Sequence, residues 1–232
     1  MACCSILVLL IAVGAGVLFT FNPLLLGIKT GKPHAEYEIF KHNEHLDDEL
    51  FHLARSIGSV DFPKYRNHCL RTLSFTKYFL SEKASAEMPR AMDLAAVALA
   101  YHDVGLWTDK ALNYLDPSAA QMAKGALNDE NFSSQDVEIM KAIILEHHKW
   151  TDFESDRFNS TANELINAVR KADWADASMG IFGSGIPAVL LEAAYEELPE
   201  AGFHSMLLGF VGRLSPDSFI GGIMEVAKIF KY

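Results

Sequence analysis

The sequence predicts an all-α protein, a helical bundle with an N-terminal hydrophobic helix expected to span a membrane. Three observations lead there. Apolar residues recur at three- and four-residue spacing along most of the chain. No alternating run of useful length marks a strand, and no internal repeat is present. Residues 5–28, SILVLLIAVGAGVLFTFNPLLLGI, carry no charged side chain. With 232 residues, half of them hydrophobic, the chain can bury one sizeable core and still carry an appendage. The expected division is 1–32, a membrane anchor or uncleaved signal-like segment with a short linker, and 33–232, one all-α domain.

The apolar run is long enough for a helix crossing the roughly 30 Å hydrocarbon layer, which takes about 20 residues. No basic residue precedes it and it exceeds the core of an ordinary signal peptide, about 7–15 residues. Lys29 and Lys32 follow it, and the positive-inside tendency places the main domain on the cytoplasmic side. Cys3 and Cys4 lie where lipid could be attached. With Cys69 alone elsewhere, the cysteines make no disulfide framework.

After the Gly31-Lys32-Pro33 break, helix follows helix. Residues 36–57 carry Tyr37, Phe40, Leu46, Leu50, Leu53 and Ile57 between acids, closed by Gly58. Asp61-Phe62-Pro63 starts the next, over 64–80. Pro89 starts an alanine-rich helix that reads to Gly105. Residues 107–116 read as a loop ended by Asp116-Pro117, followed by a short helix over 118–127. Ser133 to Asp136 resembles an N-cap for a helix to His148. A polar loop at 151–159 precedes a helix over 161–178. Gly180, Gly183, Gly185 and Pro187 mark a hinge or lid, and helices at 188–198, 201–214 and 217–230 close the bundle.

The formal net charge is −10. Without a local basic strip, such a chain repels nucleic-acid backbones, so no nucleic acid is expected as a partner.

The chemistry centres on residues 94–105, LAAVALAYHDVG. An isolated His-Asp pair is ordinarily a helix-end cap, but here His102 and Asp103 end a segment fit for burial. Buried, they need a partner, and neutral imidazole and carboxylate are usual divalent-metal ligands. His68 lies on the face continued by Thr72 and Phe75. His147 extends the stripe Val137, Met140, Ile144, and Asp173 extends the stripe Ala162, Leu165 or Ile166, Val169. Four helices thus each turn a histidine or aspartate inward. Ionised carboxylates are almost never buried without partners, and one shared cation accounts for all four.

The order His68, His102-Asp103, Asp173, with the surroundings YHDVGLW, ILEHHK and RKADWAD, resembles the H…HD…D pattern of the HD-domain superfamily of metal-dependent phosphohydrolases. The resemblance covers residues 65–179. It implies an all-α bundle whose metal ligands are His68, His102, Asp103 and Asp173. Some members hold a second metal through histidines between the HD pair and the last Asp. His147 and His148 lie there, but no histidine stands between His102 and His147. The expectation is one tightly held ion, with His147 an active-site donor or partial second ligand.

A mixed His/Asp set suits Mn, Fe, Co, Ni, Zn or Mg, and leans to the transition metals because Mg prefers all-oxygen ligands. A divalent ion favours hydroxide attack on a phosphate ester. The expected activity is therefore metal-dependent hydrolysis of a small-molecule phosphorylated substrate, a nucleotide among the candidates. The catalytic candidates are His147, His148, Arg71 and Lys149, with Arg71 first for phosphate because guanidinium offers a forked donor pair. Arg170 is a further cation, Asp176 a carboxylate placed to orient a histidine, and Trp107 and Trp174 flank the site. Competing readings are a hydratase, lyase or di-iron oxygenase on the same fold, and a non-enzymatic membrane-tethered sensor.

Overall fold

The computed structural model describes residues 37–81, 87–109, 113–127, 129–181 and 185–214. Among the described residues every regular element is a helix, as the sequence predicts. No helix among them is long and apolar enough to cross a membrane. The expected anchor at 5–28, the cysteines within 1–4 and the expected helix at 217–230 lie outside the described residues.

Helix α1 (Glu44–Ile57) starts eight residues later than the periodicity of 36–57 suggests. Asn43 has extended backbone and its side chain accepts the Leu46 N–H, while Asp47 accepts the Asn43 N–H. That reciprocal capping fixes the start. Tyr37 and Phe40 therefore precede the helix, and the Phe40 N–H donates to Ser74 Oγ instead. Helix α2 (Phe62–Ser81) carries His68. Helix α3 (Met88–Tyr101) has Pro89 in its first turn, where a missing N–H costs nothing.

The chain departs from expectation after α3. The helix ends at Tyr101, not Gly105, and Gly105 opens the single turn α4 (Gly105–Thr108) inside what reads as loop. Helix α5 (Leu115–Ala126) already includes Asp116 and Pro117 in its first turn. Helix α6 (Ser134–Glu146) begins with a full Ser133/Asp136 capping box and ends two residues before His148, with His147 as its C-cap. Helices α7 (Ser160–Ala177), α8 (Ala188–Glu197) and α9 (Phe203–Leu214) follow.

Helix α3 is the hub. Every residue from Leu94 to Tyr101 is buried, which requires neighbours on all sides. It packs against α1, α2, α5, α6 and α7, its alanines allowing close approach, while α2 makes its most extensive contact with α7. The α2–α7 pairing brings His68 beside Asp173 and Asp176. The α3 hub brings His102-Asp103 to the same point.

Candidate metal centre

The backbone after Tyr101 stays helical for one more turn, with His102 at φ −53°, ψ −36° and the Val104 N–H on Tyr101 O at 3.0 Å. This turns both His102 and Asp103 inward. Gly105 is needed for close approach, not for unusual torsions: a Cβ there would stand 2.4 Å from the Tyr114 carbonyl oxygen. Its N–H donates to Ser118 Oγ at 2.9 Å, locking the turn to α5.

His68, His102, Asp103, His147 and Asp173 are all buried, Asp103 the most exposed at 4%. Two overlapping groups could hold a metal ion, His68/His102/Asp103 and Asp103/His147/His148. Within each, the ligand atoms lie within 4.8 Å of one another. Asp173 adjoins both: Oδ1 lies 3.2 Å from His68 Nε2 and 3.6 Å from His102 Nε2, and Oδ2 lies 3.9 Å from His148 Nδ1. Asp103 is split the same way, with Oδ2 3.4 Å from His102 Nε2 and Oδ1 3.4 Å from His147 Nε2. Each carboxylate thus turns one oxygen to each histidine pair. Of the sequence-predicted ligands, His68, His102, Asp103 and Asp173 are brought together, and so are His147 and His148.

The ring protons are committed away from the centre. His102 Nδ1 donates to Leu99 O at 2.7 Å and His147 Nδ1 to Ile144 O at 2.7 Å. His68 Nδ1 donates to Asp176 Oδ2 at 2.7 Å. A carbonyl or ionised carboxylate only accepts, so in each neutral ring the Nε2 atom is a lone pair. Yet His68 Nε2 and His102 Nε2 face each other at 3.1 Å, and the buried atoms His147 Nε2 and Asp103 Oδ1 have no hydrogen-bond partner. Converging acceptors in a dry pocket demand a positive charge among them. A divalent ion fits this donor set of imidazole nitrogens and carboxylate oxygens.

The acidities report the same demand for positive charge, which without an ion falls to protons on the histidines. Burial alone lowers a histidine and raises a carboxyl. Burial opposes the charge on His68, yet Asp173 and Asp176 raise its pKa. Asp103 and Asp173 likewise hold His102 well above the usual range. Burial also opposes ionisation of Asp103 and Asp173, but His102 beside Asp103 and the His102 and His68 contacts to Asp173 keep both acidic. His148 behaves oppositely: burial and then the neighbouring His147 push it down to about 3.

Arg71, expected to meet phosphate, is fully buried and turned elsewhere. Its Nε and Nη2 grip Asp176 at 2.6 and 2.8 Å, and Nη1 donates to Leu198 O at 2.8 Å. Arg170 pairs with Asp152 and donates to the carbonyls of Lys149 and Trp150. Lys149 directly follows the His147-His148 pair, and its N–H bonds Glu146 O. Trp107 donates to Asp61 and packs on Tyr65, and Trp174 stacks on Trp150 at 4.2 Å.

Three aromatic residues near the centre were not picked out from the sequence. Tyr65 accepts the Asp103 N–H at 3.2 Å and stacks on His102; its position one turn before His68 was the available signal. Phe203 stacks on the His68 ring at 4.1 Å between centroids, and nothing local marks it. Tyr114 hydrogen-bonds His148 Nε2 from an irregular segment where no periodicity speaks. Its phenol is kept well above the usual range by burial and then by the Asp103 and Asp173 carboxylates.

No family model, curated protein or solved structure matches the chain.

Proposed function

We propose that the chain is a metal-dependent hydrolase of the HD type acting on a small phosphate ester. The observation that carries the reading is the set of Nε2 lone pairs on His68, His102 and His147. Their ring protons are tied to Asp176, Leu99 O and Ile144 O, and they converge with Asp103 and Asp173. In this reading His68, His102, Asp103 and Asp173 hold a divalent ion, and Asp103 and Asp173 also face His147 and His148. A bound divalent ion supplies water acidified towards neutrality and polarises a phosphoryl oxygen. The chain's own part is to hold the rings in place and to exclude water with Tyr65 and Phe203, with His147 and His148 lying beside the centre.

The test is metal analysis of the purified chain, followed by release of phosphate from a generic ester with added Mn, Co or Ni. Phosphate release that depends on the ion and is abolished by His102→Ala supports the reading. Activity that survives EDTA and that substitution removes it.

One observation favours a second reading, the same centre acting on an uncharged substrate as a hydratase or lyase does. Both arms of the Arg71 fork are held by Asp176, so the guanidinium expected to bind phosphate is engaged within the protein. A screen in which neutral substrates turn over and phosphate esters do not would decide for it.

A further inference from the structure

We infer that Tyr114 sets how many cations the centre holds, by engaging His148 and keeping that ring from the second ligand group. The inference rests on the metal-centre reading above and concerns Tyr114, which that reading leaves without a role.

The second ligand group is Asp103, His147 and His148. Two of its members stand ready. His147 has its Nδ1 on Ile144 O, and its Nε2 faces Asp103 Oδ1 at 3.4 Å with neither atom hydrogen-bonded. The third is engaged: the Tyr114 hydroxyl bonds His148 Nε2, the atom that lies 3.8 Å from Asp103 Oδ1. Tyr114 is 4% exposed and meets His148 edge-on, with ring centroids 5.9 Å apart. It cannot easily retreat. Its carbonyl and Cβ fill the space beside Gly105, 2.4 and 2.9 Å from where a Cβ there would stand, and α5 starts at the next residue.

For His148 to ligate through Nε2, the buried Tyr114 hydroxyl must first release that nitrogen, an exchange that weakens a second ion by about 5- to 150-fold. The first group makes no such exchange, since His68 and His102 present Nε2 with their Nδ1 atoms already occupied. The centre therefore binds one ion tightly and a second weakly, with Tyr114 as the positioning residue that separates the two affinities.

The experiment is equilibrium dialysis of the full chain against Mn(II), comparing wild type, Tyr114→Phe and His148→Ala. Wild type is expected to hold one tight and one weak ion. Tyr114→Phe should tighten the second about tenfold or more and leave the first unchanged, and His148→Ala should lose the second alone. Two equally tight ions in wild type, or a second affinity that Tyr114→Phe leaves unchanged or weakens, overturns the inference while leaving the metal centre intact. A wild-type chain that binds no ion overturns the metal-centre reading itself. Should Tyr114→Phe fail to fold, Tyr114→Leu removes the phenol without adding a ligand and should give two tight ions; a second ion as weak as in wild type overturns the inference.

Discussion

His68 is held by Asp176 across 108 positions of sequence, with Nδ1 2.7 Å from Oδ2. The same carboxylate takes both arms of Arg71, and its backbone carbonyl accepts from Tyr195 Oη at 3.0 Å and His204 Nε2 at 3.1 Å. Burial works against its charge, but Arg71 and His68 keep it ionised well below the usual carboxylate range. One aspartate therefore orients a candidate ligand and ties α2 and α7 to α8 and α9.

Asp176→Asn tests that double role. The amide leaves the buried Arg71 without its counter-charge, and loss of one partner of a buried pair costs about 3–5 kcal/mol. A histidine deprived of its orienting carboxylate loses about 10- to 100-fold in metal affinity. Chemical denaturation of the metal-free chain and a Mn(II) competition titration read the two separately. Lost stability with unchanged metal affinity would show that Asp176 only braces the fold.

Metal removal should destabilise the domain. Without an ion, only protons can relieve the facing Nε2 atoms of His68 and His102, and His147 Nε2 and Asp103 Oδ1 stay without a hydrogen bond. A ligand at a hundredfold its Kd adds about 2.7 kcal/mol. Thermal melting of the chelated chain should shift upward on adding Mn or Zn. His102→Ala and Asp173→Asn should each erase that shift. An equal shift in those variants would place the ion elsewhere.

Gly105→Ala should weaken the fold even though alanine is the better helix former by about 1 kcal/mol. The new methyl would press on the Tyr114 backbone at 2.4 Å, and overpacking of this kind costs about 1–3 kcal/mol. Urea denaturation checks the sign; a stabilised variant would mean that α5 moves aside easily.

Acid should loosen the start of α9. Glu200 accepts the Gly202 and His204 N–H groups and meets His204 Nδ1. Burial raises its pKa, but the His204 and Gly202 hydrogen bonds prevail and bring it from 4.5 to about 2. Because the folded value lies below the unfolded one, the stabilisation is complete above about pH 4.5 and fades as pH falls towards 2. Glu200→Gln should flatten that part of the stability–pH profile, measured by denaturation at stepped pH. An unchanged acid limb would show that other carboxylates govern it.

Residues with a strong periodic neighbourhood were readable without coordinates. Val137, Met140 and Ile144 pointed to an inward His147, and Val169 to an inward Asp173; both are buried as that spacing requires. The Ser133 cap was likewise visible as a local motif. Arg71 shows the limit. Its chemistry suited phosphate, but its partner was decided by Asp176, 105 positions away. The start of α1 failed for a related reason. Tyr37 and Phe40 fit the helical period, yet the Asn43–Asp47 exchange of hydrogen bonds stops the helix before them.

The sequence by itself determined that the described chain is helical and that His68, His147 and Asp173 turn inward, which follows from a 3.6-residue repeat that each segment carries alone; burial of His102 and Asp103 followed from the apolar segment they end. Only the tertiary structure decided that α2 lies along α7, that Asp176 and not a substrate takes Arg71, and that Tyr114 meets His148. Such contacts join groups 34 to 108 positions apart. They depend on which surfaces pack together, and no local pattern encodes that choice.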